Sequence, residues 1–315
     1  MPLHETILEC IGNTPSVRLR RIIEKGSADV YLKVESCNPS GSIKARPALS
    51  MIEDAEKRGV LGPDSIIVEP TSGNQGIALA MIGAVKGYKV RIVLPESASV
   101  ERRKILKAYG AELVLTPVGR NIKETFETVL NTALELRDRD PRVFVPQQFE
   151  NPRNPAAHED GTAAEIVRDF GPDLHAFVAG IGTGGTISGV GRVLKAKVPG
   201  IQIVAVEPSG APLLSGGEMT SHIQEGIGDG LWPGVLDTSV IDRVELVTDE
   251  QACETAKRLA REEGIFCGLS TGTTVTGALR IARELGKGKR VLAIMADGGE
   301  KYLSTRLCEQ DPEEC

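Results

Sequence analysis

A single lysine, Lys44, follows a turn-forming run, Asn38-Pro39-Ser40-Gly41-Ser42-Ile43, and precedes a stretch typical of a helix. Proline and glycine favour the turn, and the hydroxyl of Ser40 or Ser42 is a candidate cap for the helix. A lysine amine that is desolvated enough to lose its proton can form a Schiff base with an aldehyde. A solvated lysine is the more common explanation of such a stretch, so the case for chemistry depends on the rest of the chain.

Two further loops have the composition of anion-binding sites. Residues 71–75, Thr-Ser-Gly-Asn-Gln, lie between a short apolar strand and an apolar helix. Such a unit directs loop amides and a helix N-terminus at one point. Residues 182–186, Gly-Thr-Gly-Gly-Thr, occupy the same kind of position farther along. They would form a compact nest of amides and hydroxyls for one phosphate monoester.

The elements that must position these loops alternate between strand and helix, which predicts parallel sheets joined by helical crossovers. Residues 268–273 are expected to form a second small-residue loop. The polar, proline-rich stretch 146–155 interrupts the alternation, and we interpret it as a crossing between domains or as a long surface loop. We expect strands at 30–35, 65–70, 89–94, 112–115, 176–179, 203–206 and 290–295, and helices at 44–58, 76–86, 100–109, 122–137, 163–170 and 249–263.

Composition limits the class of protein. With six Phe, four Tyr and one Trp in 315 residues, the core must be built from aliphatic side chains, as in sheets covered on both faces by helices. The net charge of -6 includes no basic stripe for nucleic acid. The six cysteines show neither metal-ligand nor disulfide spacing, so we expect reduced thiols in a cytosol and no metal. No signal pattern or membrane-length apolar run is present, so the sequence predicts a soluble, cytoplasmic protein.

The glycine loop has two interpretations. Gly180, Gly182 and Gly185 satisfy the GxGxxG pattern, and Glu207 follows at the end of the next strand, as in a dinucleotide fold. An NAD-dependent dehydrogenase is therefore a rival hypothesis. Such an enzyme has no use for Lys44 together with the 71–75 loop. Pyridoxal phosphate needs an amine for its aldehyde, donors for a substrate carboxylate and a phosphate cup, so it accounts for all of these features.

The motifs together resemble the cysteine synthase family. They are Asn38 to Lys44, Pro70 to Asn74, Gln147-Gln148-Phe149, Gly182 to Thr186 and Glu300-Lys301-Tyr302-Leu303-Ser304, in this order over nearly the whole chain. The resemblance implies an α/β, tryptophan synthase β-subunit-like fold (fold type II) with two domains, each holding a mainly parallel sheet. The larger domain would comprise 1–39 and 151–315, and the smaller, mobile one 40–150. A homodimer is also implied, with serine acetyltransferase as a candidate partner.

The resemblance also assigns roles to individual residues. Lys44 would hold pyridoxal 5'-phosphate and later move the α-proton of the substrate, and Asn74 would hydrogen-bond to the ring hydroxyl. Gly228 would lie beside the ring. The substrate carboxylate would be bound by Thr71, Ser72, Asn74 and Gln148. The phosphate would be held by Gly182, Thr183, Gly184, Gly185 and Thr186.

Three positions differ from the commonest family pattern. Gln75 stands where threonine is usual, so the carboxylate pocket gains an amide. Gly298 stands where the family usually places a hydroxyl facing the pyridine nitrogen, and water or Thr271 would have to replace it. Asp229, which follows Gly228 in place of a small residue, is either a solvated loop residue or a general acid or base.

The implied reaction is loss of a β-substituent from an activated serine to give an aminoacrylate, followed by addition of a nucleophile such as sulfide. We expect a cysteine synthase that uses O-acetyl-L-serine. A catalytic Asp229 would instead favour a cystathionine β-synthase-like or cysteine β-lyase-like enzyme, which takes serine or cysteine. A cofactor-binding scaffold without activity is a further class of protein that the motifs allow.

Overall fold

The computed structural model describes residues 3–71, 73–305 and 307. In these residues ten strands form a six-stranded sheet in the order β1-β2-β10-β7-β8-β9 and a four-stranded sheet in the order β5-β4-β3-β6. The strands are β1 (Ser16–Arg18), β2 (Asp29–Val34), β3 (Ile66–Pro70), β4 (Lys89–Pro95), β5 (Glu112–Thr116), β6 (Val143–Phe144), β7 (Ala176–Gly180), β8 (Gln202–Pro208), β9 (Arg243–Val247) and β10 (Arg290–Met295).

Helices connect the strands as the alternating pattern predicts. Only β1 runs antiparallel to its neighbour in the described sheets. The remaining strands are therefore joined by crossovers, most of which contain a helix. The helices are α1 (Ala45–Lys57), α2 (Asn74–Lys86), α3 (Val100–Ala108), α4 (Ile122–Arg139), α5 (Arg153–Ala157), α6 (Ala164–Phe170), α7 (Gly185–Lys197), α8 (Asp249–Glu263) and α9 (Leu269–Leu285). A π-helical segment, His158–Ala163, joins α5 to α6.

Both faces of the larger sheet are buried. Along β7, Ala176 and Val178 belong to a core on one face, whereas Phe177 and Ala179 belong to a core on the other. Successive side chains of a strand point to opposite faces, so an all-apolar strand requires cover on both sides. All strands of the smaller sheet lie between residues 66 and 144. The division into two domains at residues 40 and 150 stays a prediction.

The carboxyl ends of the parallel strands position the loops that carry the candidate residues. The 71–75 loop follows β3, the glycine loop follows β7, and Ala296-Asp297-Gly298 follows β10. Ligands of open α/β sheets bind at this edge. Among the described residues, no helix has the length and apolar character needed to cross a bilayer.

Two local predictions were wrong. No side chain caps α1, whose N-cap is Lys44, and the hydroxyls of Ser40 and Ser42 are buried without a hydrogen-bond partner. Residues 269–273 are the first turns of α9 rather than a loop, because the hydroxyls of Thr273 and Thr274 donate to the carbonyls four residues before them. Those bonds satisfy hydroxyls that would otherwise compete with the helix backbone.

Candidate active site

Lys44 is held at the junction of two cavities. The amide of Ile43 donates to the carbonyl of Ala296 at 2.8 Å, and Ser42 forms an isolated bridge with Asp297, so the end of β10 fixes the turn. Burial lowers the pKa of the Lys44 ammonium, and the nearby carboxylates of Asp229 and Asp297 oppose that shift by raising it. A lysine held in this way loses its proton more readily than a solvated one.

The larger cavity measures about 560 Å³ and lies among loops from both sheets. It brings together residues that are far apart in the sequence. Its lining includes Lys44 and the candidate residues Thr71, Asn74, Gln75, Gln148, Thr183, Gly228 and Asp229. Gly185 and Gly298 line neither cavity. Ser72 lies outside the described residues.

The smaller cavity, about 50 Å³, is a cup at the start of α7. Gly182, Thr183, Gly184 and Thr186 line it, together with Lys44. Gly184 has φ 78°, a left-handed conformation that favours glycine, and it is the N-cap of the helix. The free amides of a helix N-terminus attract anions.

Asn154, which the sequence analysis missed, connects this cup to the larger cavity. Its Nδ2 donates to the carbonyl of Gln148 at 2.7 Å and to the hydroxyl of Thr183 at 2.9 Å. A Cβ on Gly185 would overlap with the Asn154 side chain, so glycine is required for this close approach. Asn154 lies in the proline-rich stretch that we interpreted only as a crossing or loop, and its type and position there give no signal for this contact.

His158 lies behind the cup. Its Nε2 is 3.3 Å from the hydroxyl of Thr186, and its Nδ1 is 3.0 Å from that of Thr162. Burial lowers the pKa of His158, and the positive charges of Arg46 and Lys44 lower it further. The imidazole is therefore neutral, and it positions the Thr186 hydroxyl.

The side chain of Asn74 is anchored on one side and free on the other. Its Nδ2 donates to Oδ2 of Asp297 at 2.7 Å, and the hydroxyl of Tyr302 donates to the same oxygen at 2.8 Å. Oδ1 of Asn74 is buried without a hydrogen-bond partner. Buried polar atoms are rarely left unpaired, so this atom is suited to accept a hydrogen bond from a ligand.

The carboxylate-binding candidates show the same feature. Both amide atoms of Gln75 are buried without a partner, as is Oε1 of Gln148. The hydroxyl of Thr71 accepts a hydrogen bond from the amide of Gly73 at 3.2 Å and lies beside the N-terminus of α2. Amide and hydroxyl donors at a helix N-terminus are suited to a carboxylate.

Asp229 is half-buried and lines the larger cavity. Burial raises its pKa, and the positive charge of Lys44 opposes this effect. The loop before it is fixed by His222, whose Nδ1 accepts from the amide of Gln224 at 3.2 Å. Nε2 of His222 therefore carries the proton and donates to the carbonyl of Gly228 at 3.0 Å.

Gly298 is surrounded by protein. A Cβ at this position would overlap with the Glu300 carboxylate. The side chain that the family usually has here would therefore displace Glu300. Ser270, and not the suggested Thr271, lines both cavities at the start of α9. The position of Ser270 depends on α9, which the sequence analysis did not predict.

A buried arginine closes one side of the larger cavity. Arg102 on α3 forms an ion pair with Glu225 and lies over the ring of Tyr302, 4.8 Å from its centroid. These partners are more than 100 residues apart in the sequence, so no local pattern predicts their contact. The pair joins α3, which packs in the smaller-sheet part of the chain, to the loop that carries Asp229.

The dehydrogenase hypothesis fails on geometry. Glu207, the residue that would bind a ribose, accepts hydrogen bonds from the amide of Leu214 at 2.7 Å and from Ser215. Its carboxylate is thus occupied within its own segment. Among the described residues, no group of three or more His, Cys, Asp and Glu side chains is arranged to hold a metal ion.

Comparison with known proteins identifies the class. The family model described as "Pyridoxal-phosphate dependent enzyme" matches residues 7–297, and the chain belongs to this family. A cysteine synthase of Staphylococcus aureus is 49% identical over 308 residues, which cover 98% of each chain. The structure of an O-ureido-L-serine synthase has a TM-score of 0.93 and 46% identity, covering 99% of this chain and 98% of that one. A cysteine synthase from Entamoeba histolytica has a TM-score of 0.92 and 37% identity, covering 100% and 93%. The predicted family, fold class and cofactor are confirmed.

The described residues fit pyridoxal phosphate. A helix N-terminus with two threonine hydroxyls suits the phosphate, and a partly desolvated lysine stands between the two cavities. Oδ1 of Asn74, both amide atoms of Gln75 and Oε1 of Gln148 are available for hydrogen bonds to a polar ligand in the larger cavity. The individual roles of these residues stay predictions.

Proposed function

We propose that this chain is a cysteine synthase, which converts O-acetyl-L-serine and sulfide to L-cysteine and acetate. The observation that carries the proposal is the placement of Lys44 between a phosphate-sized cup and a cavity lined by unpaired buried amides. A cysteine synthase that is 49% identical over nearly the whole chain supports the same activity. Bound at this site, pyridoxal phosphate would supply the electron sink that allows a substituent to leave an amino-acid β-carbon.

The chain's own residues bind and orient the reactants. The 182–186 cup holds the phosphate, with Gly185 admitting Asn154 behind it. Thr71, Gln75 and Gln148 orient the substrate carboxylate, and Ser72 keeps its predicted role there. Asn74, fixed by Asp297, faces the ring hydroxyl, and Gly228 leaves room beside the ring. Gly298 lines neither cavity and contributes no hydroxyl toward the ring nitrogen.

Lys44 both holds the cofactor and moves a proton. Its lowered pKa would provide the free amine that holds the aldehyde of the cofactor, and Nζ would take the proton from the substrate Cα. The pairing of Arg102 with Glu225 closes one wall of the cavity, which limits the entry of water.

A second candidate function follows from Asp229. A carboxyl group with a raised pKa that faces the cavity could donate a proton to a poor leaving group. Serine or cysteine would then be a donor, as in a cystathionine β-synthase-like or cysteine β-lyase-like enzyme. A homodimer, serine acetyltransferase as a partner and a cytoplasmic location are further proposals that rest on the resemblance.

Product analysis tests the main proposal. The protein loaded with pyridoxal phosphate should form cysteine and acetate in equal amounts from O-acetylserine and sulfide. Lys44→Ala should form neither above the uncatalysed rate. A wild-type protein that forms cysteine from serine and sulfide, but not from O-acetylserine, would favour the second candidate. Formation of cysteine from neither donor, together with no release of sulfide from cysteine, would contradict both.

A further inference from the structure

Glu69 is a fully buried carboxylate that no motif role accounts for. It is the second-last residue of β3, is 0% exposed and lines neither cavity. Its Oε2 accepts a hydrogen bond from the amide of Gln147 at 3.2 Å, and its Oε1 accepts one from the amide of Gln148 at 3.3 Å. Burial raises the pKa of Glu69 to about 8, although these two amides oppose the shift. Burial of a carboxylate costs free energy, and the protein nevertheless has one at this position.

The two amides belong to a turn with an uncommon backbone conformation. Gln147 has φ 56°, a left-handed conformation that is uncommon for a residue other than glycine. The next residue, Gln148, lines the larger cavity, and the NH₂ group of its side chain is the donor that a substrate carboxylate requires. Asn154 donates to the carbonyl of Gln148, so Glu69 and Asn154 hold the amide and the carbonyl of the same residue.

Glu69 also connects two loops. Two residues after it, the chain reaches Thr71, the first candidate ligand of the substrate carboxylate. Gln148 comes from the segment after β6, the strand that pairs with β3. A movement of the Glu69 side chain would therefore change the distance between the two groups that approach one carboxylate.

We propose that Glu69 is a positioning residue that fixes the Gln147-Gln148 turn, so that the side-chain NH₂ group of Gln148 meets the carboxylate of the amino-acid substrate. The inference rests on the proposed function, since it assumes an amino-acid substrate. If the carboxylate served the fold alone, a neutral side chain of the same shape would serve as well without the cost of desolvation. Its two oxygens accept two neighbouring amides, and a neutral amide side chain has only one oxygen to offer them.

Glu69→Gln tests this distinction. The variant keeps the shape of the side chain but directs an NH₂ group at one of the two backbone amides. In protein loaded with pyridoxal phosphate and measured above pH 8, where Glu69 is ionised, we expect the Kd for O-acetylserine, from an absorbance titration, to rise about tenfold, the equivalent of one hydrogen bond. Under the same conditions the Tm should be unchanged or higher, because a buried charge is removed, and amide hydrogen exchange should become faster in residues 146–149.

Glu263→Gln is the matched control. Oε1 of Glu263 accepts hydrogen bonds from the backbone amides of Arg20, Arg21 and Ile22. Glu263→Gln therefore also weakens hydrogen bonds between a carboxylate and a loop. It lines neither cavity, and its Kd for O-acetylserine should equal that of the wild type. In a Gln148→Ala background, Glu69→Gln should cause no further rise in Kd, because its effect passes through Gln148.

The outcomes separate this inference from the proposed function. A wild type that responds to O-acetylserine, with an unchanged Kd in Glu69→Gln, would overturn the inference alone. A full tenfold effect of Glu69→Gln in the Gln148→Ala background would also overturn it. A wild type that does not respond to any amino acid would overturn the proposed function and the inference with it. If Glu69→Gln does not fold, Glu69→Asp replaces it, since the shorter side chain withdraws the carboxylate from both amides and should raise Kd in the same way.

Discussion

Asp229 and Lys44 face the same cavity, and each changes the protonation of the other. Burial alone lowers the pKa of Lys44 and raises that of Asp229, and the attraction between their charges opposes both shifts. The protonation of Asp229 would therefore depend on the charge that Lys44 carries when it holds the cofactor.

The leaving group should decide whether Asp229 matters. Acetate leaves readily without a proton, whereas hydroxide or thiolate needs one, and general acid catalysis is worth about 10²–10⁴-fold in rate. We expect Asp229→Asn to slow single-turnover loss of the β-substituent from serine or cysteine by that factor and to change O-acetylserine little. Glu218→Gln, on an exposed carboxylate outside both cavities, is the control. Equal slowing for every donor would leave Asp229 without an acid or base role.

At the scale of elements, hydrophobic pattern predicted most strands and helices to within two residues. The prediction failed where side-chain contacts stabilise a helix or strand whose composition is not typical of that element. The small, hydroxyl-rich start of α9 has the composition of a loop, yet its threonines bond to the preceding turn. β9 was missed because its charged residues, Arg243 and Glu245, pair with each other on a strand with few fully buried positions.

The junction of α5 and α7 gives the element-scale prediction. A methyl group at Gly185 would push Asn154 away from the Gln148 carbonyl and the Thr183 hydroxyl. Each lost hydrogen bond typically costs about 1 kcal/mol. We therefore expect Gly185→Ala to weaken the binding of both pyridoxal phosphate and O-acetylserine, by about fivefold or more, in equilibrium titrations.

Gly62→Ala is the control for this change, because its Cβ would meet nothing within 4 Å. Its affinities should equal those of the wild type. Wild-type affinity for both ligands in Gly185→Ala would show that Asn154 does not couple the cup to the larger cavity.

At the scale of the whole molecule, the site combines residues from segments that the chain separates widely. The candidate ligands could be predicted because they lie in contiguous motifs, and the structure places most of them around two adjoining cavities. The sequence did not predict the roles of Asn154, Arg102 and Glu225, because these residues contact partners that are far away in the sequence. The sequence also did not predict a buried ion network near Lys44, which is formed by Arg46, Glu35, Glu165 and Lys33.

This network should control acid stability. Glu165 pairs with Arg46 at 2.7 Å and with Lys33 at 2.8 Å. Burial would raise the pKa of Glu165, but the bonds from Arg46 and Lys33 outweigh it and lower the pKa to about 2, below the ordinary 4.5. The stabilisation is therefore complete above pH 4.5 and is lost as the pH falls toward 2.

Glu165→Gln should lower Tm at pH 7, and the difference from the wild type should shrink as the pH falls below about 4.5. Thermal scans from pH 7 to pH 3 measure this. Glu135→Gln, which removes an exposed pair with Arg139, should change Tm little at any pH. A difference that is independent of pH would assign the loss to packing instead of charge.

The central claim is that Lys44 holds pyridoxal phosphate in a site that acts on the β-carbon of an amino acid. One absorption experiment tests it most directly: the purified protein is titrated with O-acetylserine and then with sulfide. The account predicts a visible band that changes with O-acetylserine, returns with sulfide and is absent in Lys44→Ala. A band that stays unchanged with O-acetylserine, serine and cysteine would contradict it and leave a cofactor-binding scaffold. A colourless wild-type protein that reduces NAD would contradict it entirely.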